Sequence, residues 1–144
     1  MTPDLIFTLG TATAAAGWIV LLASRWIPRW AEWSAGVVIP SLLAIAYAGL
    51  VLAFWSGAEG GFDSLDNVAR LFQTREILLA GWLHYLAFDL FVGAWEVRTA
   101  RAERIPLVFV APCLALTFYL GPIGFLAFQV LRALRARMVG AAAA

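Results

Sequence analysis

Residues 81–93, GWLHYLAFDLFVG, are almost entirely apolar and yet contain one histidine and one aspartate. They lie within a longer apolar stretch, Ile77 to Trp95, in which only His84 and Asp89 can carry a charge near neutral pH. A helix of about 20 apolar residues is long enough to cross the hydrocarbon core of a bilayer. The stretch therefore predicts a transmembrane helix with two polar side chains at membrane depth.

The rest of the chain is also strongly apolar. Hydrophobic residues make up 63% of its 144 residues, whereas soluble domains contain about 45–50%. This length is typical of one domain, which we assign to residues 1–144. The net charge is only +1, which argues against nucleic acid as a partner. The predicted partner is therefore the lipid bilayer.

Three further stretches carry no charge, namely Leu5 to Ser24, Trp33 to Ala58 and Ile105 to Leu131. Backbone groups in lipid must be satisfied within their own segment, so each stretch predicts a helix. The predicted fold is all-α, a four-helix transmembrane bundle. Its helices are expected at about residues 4–24, 35–57, 76–97 and 106–134.

A short amphipathic helix is predicted at about residues 63–73, between the second and third transmembrane helices. Leu65 and Val68 share one face of it, and Asp63 or Ser64 is suited to cap its start. It is expected to lie on the bilayer surface. An ordinary loop helix packed against the bundle is the alternative.

The fourth predicted helix contains Pro112 and the pair Gly121–Pro122, which are expected to kink it. With four crossings, five arginines fall on each side of the membrane, so the positive-inside rule gives a tie. The arginines near the end of the chain lack acidic neighbours, which favours both termini in the cytoplasm.

His84 and Asp89 are five residues apart, so they do not face each other on a straight helix. Each side chain needs a partner on another helix, in water or on a ligand. The helical period gives two stripes, one with Tyr85, Asp89 and Glu96, and the other with His84, Phe88 and Trp95.

A charged aspartate at mid-bilayer costs roughly 2.5–3.5 kcal/mol on insertion scales. Protonation, an arginine partner or a polar cavity lowers that cost. Both a functional contact and a structural hydrogen bond are consistent with this position. Glu96 lies at the end of the predicted helix and is expected at the interface, paired with an arginine.

A single histidine and a single cysteine, Cys113, cannot build a multi-histidine iron site, a bis-histidine haem site or a cysteine metal site. No metal and no certain cofactor are predicted, and Cys113 is expected to be a packing residue. The seven Trp and ten Phe suit a site for a flat conjugated molecule. They also suit belts of aromatic residues at the membrane interface.

Two stretches, AGWLHYLAFDLFVGAWEVRTAR (80–101) and IPLVFVAPCLALTFYLGPIGFLAFQVLR (105–132), resemble the abscisic-acid-deficient-four-like family. That family consists of small integral membrane proteins with about four helices. In plants it is required to make neoxanthin from violaxanthin in the plastid envelope. The resemblance implies a carotenoid as ligand or substrate, and carotenoid isomerisation or handling as the function.

The neoxanthin reaction opens an epoxide and forms an allene without net oxidation, so it needs an acid and a base. By resemblance, Asp89 is the predicted acid and His84 the predicted base, and Arg98 would hold a polar group of the xanthophyll at the interface. The remaining predicted substrate contacts are Trp82, Tyr85, Phe88, Trp95 and Glu96.

The alternative is a non-catalytic accessory transmembrane subunit of a larger assembly, such as a photosynthetic pigment–protein complex. Glycines on predicted helix faces favour it, namely Gly10, Gly17, Gly121 and Gly124, because small residues let helices approach closely. A small proton-coupled carrier that uses Asp89 is a weaker alternative, since no internal repeat is visible. In each case the expected location is a bacterial inner or photosynthetic membrane.

Overall fold

The computed structural model of the chain describes residues 2–142, with side chains described for residues 2–138, and the described part is helical without strands. Residues 1, 143 and 144 of the predicted domain lie outside it. The all-α prediction is confirmed. The α-helices are α1 (Pro3–Leu22), α2 (Pro28–Trp33), α3 (Ile39–Phe54), α4 (Leu65–Leu71), α5 (Arg75–Ala102), α6 (Leu107–Leu120) and α7 (Pro122–Ala142).

Three helical segments in the described chain are long and apolar enough to cross a membrane: Pro3–Arg25, Pro28–Gly57 and Arg75–Ala102. The second begins earlier than predicted, because a π-helical turn, Ser34–Val38, joins α2 to α3 without a break. Pro40 follows this turn and has no N–H to donate, and a wider turn accommodates such a residue.

The predicted fourth transmembrane helix is wrong, since the chain forms two helices there. Pro112 lies inside α6 without ending it. Gly121 breaks the helix with φ +45°, and Pro122 begins α7 at a position where its missing N–H costs little. The 14 residues of α6 span about 21 Å at 1.5 Å per residue, which is too short for a core of about 30 Å.

Helices α6 and α7 form a hairpin whose open end lies at the C-terminal end of α5. Glu103, in the turn before α6, accepts hydrogen bonds from Arg132 of α7, with Nε 2.9 Å from each carboxylate oxygen. Arg135 Nη2 donates to the Arg104 carbonyl at 3.1 Å. The four-helix bundle is thus corrected to three long helices and a half-length hairpin.

The N-terminal end of the described chain lies at the other end of α5, where Asp4 pairs with Arg75. At the opposite end, Arg132 donates a hydrogen bond to Glu103, which directly follows α5. Asp4 and Arg132 thus lie at opposite ends of α5, and the prediction that both termini are cytoplasmic is not confirmed. It assumed a fourth crossing, which the hairpin replaces.

Helix α5 is the centre of the molecule and is covered by α1, α3 and the hairpin. Leu83 and Leu90 are fully buried on it. Each packs against a glycine of α1: a Cβ on Gly10 would lie 2.5 Å from Leu83, and one on Gly17 would lie 2.5 Å from Leu90. These glycines are used inside the protein, so they offer no face to a partner.

The short helix between the second and third long helices is confirmed as α4. Ser64 caps it, since its hydroxyl accepts from the Asn67 N–H at 3.2 Å. Leu71 is buried, whereas Leu65 is exposed. The placement of α4 on a bilayer surface stays a prediction.

Candidate functional site

Asp89 lies near the middle of α5, about 20 Å from either end of that helix. It faces the tip of the hairpin. A Cβ on Gly121 would lie 2.8 Å from Asp89 Oδ1 and 3.2 Å from Oδ2, so only glycine fits both this backbone conformation and this space. Oδ2 is buried and has no hydrogen-bond partner within the described residues. The chain therefore covers a carboxyl group at membrane depth without fully pairing it.

Tyr85 joins this carboxyl group to the end of α6. Its hydroxyl donates to the Phe118 carbonyl at 3.1 Å and lies beside Asp89. In a continuous helix the Phe118 carbonyl would accept from residue 122, but Pro122 has no N–H. Tyr85 thus satisfies a carbonyl that the helix break leaves free.

Glu96 lies two turns beyond Asp89 on the same stripe and is fully buried. Its Oε1 accepts from the Thr117 hydroxyl at 3.0 Å, and within the described residues its Oε2 has no partner. The prediction of an interfacial Glu96 paired with an arginine is wrong. Helix α5 continues to Ala102, and the hairpin covers this position.

His84 lies on the face of α5 that is turned toward α3. Its ring stacks on Phe88 with centroids 4.6 Å apart, and the ring of Tyr47 on α3 lies 5.6 Å away. As the helical spacing predicted, His84 and Asp89 are not placed as a hydrogen-bonded dyad. Within the described residues no three His, Cys, Asp or Glu side chains cluster as metal ligands would.

A row of aromatic side chains leads from α1 toward Asp89. Trp82 lies between Phe7, at a centroid distance of 5.5 Å, and Tyr85, at 5.3 Å. Trp82 Nε1 donates to Thr11 Oγ1 at 3.0 Å, which fixes the indole against α1. Phe7 and Trp82 are exposed on the molecular surface. We call Phe7, Trp82 and Tyr85 the aromatic row.

The other predicted substrate contacts are dispersed. Trp95 packs on Phe128 of α7, with centroids 5.7 Å apart, and the Arg132 guanidinium lies 5.8 Å from its ring. Phe88 lines a separate apolar groove of about 390 Å³ between α3 and α5. Arg98 is exposed near the end of α5. Of the predicted set, the structure thus brings Trp82, Tyr85 and Asp89 together, with Glu96 buried on the same face.

Two features of the site were not predicted from the sequence: the pairing of Thr117 with Glu96 and the packing of Gly121 against Asp89. Thr117 is fully buried, but its place in an apolar run does not show which carboxyl group it contacts. The Gly121–Pro122 pair was visible as a kink. That a carboxyl group packs against it depends on how α6 returns along α5.

These features define an integral membrane protein of three long helices, with carboxyl groups at membrane depth beneath a broken helical hairpin. The family model described as ABA DEFICIENT 4-like matches residues 5–128, and the chain belongs to that family. This confirms the resemblance. The family is linked to neoxanthin synthesis in the carotenoid pathway. Comparisons with curated proteins and with solved structures each find no significant match.

Proposed function

We propose that the protein binds a carotenoid along the aromatic row and acts on its polar end group at Asp89. The observation that carries this proposal is the position of Asp89, an incompletely paired carboxyl group at membrane depth that the aromatic row approaches. A carboxyl group without a partner costs free energy at membrane depth, and a polar group of a ligand would lower that cost.

The aromatic row suits the body of such a molecule. A flat polyene stacks on aromatic rings in the same offset or tilted arrangements that aromatic side chains adopt. Because Thr11 holds the Trp82 indole, its ring is oriented before the ligand arrives, which reduces the entropy cost of binding. The exposed rings of Phe7 and Trp82 give access from the lipid.

The proposed activity is isomerisation of a xanthophyll epoxide. Asp89, as a carboxylic acid, donates its proton to the epoxide oxygen while the carbon–oxygen bond breaks. The resulting carboxylate accepts the proton of the neighbouring carbon as the allene forms. One proton is given and one is taken, so the reaction needs no oxidant. His84 has no part in this version, because it faces α3.

Expression in a host that accumulates violaxanthin tests this function. Pigment extracts are compared by chromatography between wild type, Asp89→Asn and the matched control Asp66→Asn on α4. Wild type and control should form an isomer of unchanged mass, and Asp89→Asn should not. His84→Phe, which keeps the stack on Phe88, should retain the activity. A wild-type extract identical to that of the empty vector would refute the proposal.

The accessory-subunit alternative has less support, because Gly10, Gly17 and Gly124 are occupied by contacts within the chain. Sizing of the protein in mild detergent from its native membrane separates the two. Migration with a large pigment–protein complex, together with an unchanged pigment profile in the expression test, would favour the alternative.

A further inference from the structure

A basic cavity lies at the end of the molecule where the hairpin begins and ends. It has a volume of about 530 Å³ and lies between the turn after α5 and the returning helix α7. Its charged lining consists of Glu103, Arg104, Arg132 and Arg135. We call it the arginine cavity.

The charges in the arginine cavity are unequal. Arg132 is held by Glu103, because its Nε lies 2.9 Å from both carboxylate oxygens and its Nη2 also donates to Oε1. Arg135 donates to a backbone carbonyl, that of Arg104, at 3.1 Å. The cavity therefore contains three guanidinium groups and one carboxylate, so it has an excess of positive charge.

The backbone at Arg104 supports a role for its side chain. Its φ is +55°, and the next residue, Ile105, donates its N–H to the Ala100 carbonyl at 2.8 Å. This is the helix-ending motif in which glycine is favoured, because a Cβ is strained in the left-handed region. An arginine at this position carries a conformational cost that glycine would avoid.

The surroundings of the arginine cavity suit a membrane surface. It lies just beyond the end of the membrane-spanning helix α5. The indole of Trp95 lies beneath Arg132, and the exposed apolar side chains of Val108 and Leu134 lie on the adjoining helices. Phosphate-binding groups thus lie next to surface that is suited to an acyl chain.

We propose that the arginine cavity binds the phosphate of an anionic phospholipid from the adjacent leaflet. The planar fork of a guanidinium group matches a phosphate with two parallel hydrogen bonds. Basic clusters at the membrane surface attract anionic lipids, and basic pockets between helices bind their headgroups. This inference is independent of the carotenoid proposal, since Asp89 lies about 20 Å away along α5.

Native mass spectrometry of the detergent-purified protein tests the assignment, with phosphatidylglycerol and phosphatidylcholine titrated separately. We expect phosphatidylglycerol to bind more tightly. Arg104→Gly should weaken it about five-fold, the factor that matches the contribution of one basic residue near an anionic surface. The same variant should keep or raise the unfolding temperature, because it relieves the strained backbone. Arg135→Gln should also weaken binding.

Arg29→Gln is the matched control. Arg29 is exposed at the same end of the molecule and does not line the arginine cavity. An equal loss of affinity in Arg29→Gln, or equal binding of the two lipids, would overturn the proposal. Inorganic phosphate alone should bind far more weakly than the lipid, and equal affinity for free phosphate would overturn the assignment to a phospholipid.

Discussion

The hydroxyl of Thr117 lies 3.0 Å from Glu96 Oε1 and 3.0 Å from the Cys113 carbonyl. A hydroxyl has one hydrogen, so it can donate to only one of these two oxygens. A proton on the Glu96 carboxyl group would satisfy both contacts, with Glu96 donating to Thr117 and Thr117 donating to Cys113. Thr117, a small residue in an apolar run, is thus the partner on which the buried carboxyl group of Glu96 depends.

Removal of this hydroxyl should destabilise the protein. Thr117→Val keeps the shape of the side chain but leaves Glu96 buried without a partner, so we expect a loss of about 1–3 kcal/mol in the free energy of unfolding. Thr117→Ser should lose less, since it keeps the hydroxyl. Denaturant unfolding in detergent, followed by circular dichroism, measures both. In a Glu96→Leu background the cost of Thr117→Val should shrink, and an undiminished cost would contradict this pairing.

Glu103 should make the hairpin anchor sensitive to acid. The hydrogen bond from Arg132 lowers the pKa of Glu103 below its usual value of 4.5. Its contribution to stability is therefore complete above pH 4.5 and is lost as the pH falls through the lowered pKa. Both side chains are about one-third exposed, so the pair contributes at most about 1 kcal/mol.

The measurement compares the stability of wild type and Glu103→Gln at neutral pH and at about pH 3. We expect wild type to be more stable at neutral pH and the difference to close in acid. A difference that stays constant across this range would mean that the ion pair adds nothing to the stability of the hairpin.

At the scale of elements, the hairpin is held by the contact of α7 with the backbone of α6. A Cβ on Gly124 would lie 2.1 Å from the Thr117 nitrogen and 2.4 Å from its Cα. Neither atom can move aside without shifting a helix. The hairpin is therefore built on an approach that permits no side chain at residue 124.

Gly124→Ala should separate α6 from α7 and destabilise the protein by about 1–3 kcal/mol. Gly49→Ala is the control, because a Cβ on Gly49 of α3 meets nothing within 4 Å. That substitution should instead stabilise the helix by about 0.5–1 kcal/mol. Unfolding temperatures in one detergent compare the two, and a Gly124→Ala protein as stable as Gly49→Ala would contradict the close helix contact.

At the scale of the whole molecule, the hairpin concentrates positive charge at one end. Only Arg70 and Arg75 lie toward the other end, near α4 and the start of α5. The other eight of the ten arginines share the end where the hairpin begins: Arg25, Arg29, Arg98, Arg101, Arg104, Arg132, Arg135 and Arg137. The five-to-five tie of the sequence analysis is replaced by a strong asymmetry, and the positive-inside rule predicts that this end is cytoplasmic.

Cysteine labelling in intact bacterial cells tests this orientation. In a Cys113→Ser background, Asp63→Cys should react with a thiol reagent that cannot cross the membrane, and Arg137→Cys should react only after permeabilisation. The reverse pattern would invert the orientation. Labelling of both positions from the same side would contradict the hairpin itself, because four crossings would bring them together.

The sequence predicts the membrane class, the three long helices, a cap at Asp63 or Ser64 and the separation of His84 from Asp89. Each of these follows from local hydropathy, capping chemistry or the helical period. The return of α6 and α7, the burial of Glu96 and the contact of Tyr85 with Phe118 follow from tertiary packing. An uncharged run of 27 residues, 105–131, has the same composition whether it crosses a membrane or folds back within it. The difference arises from contacts between residues far apart in the chain, such as Gly124 against Thr117 and Arg132 against Glu103.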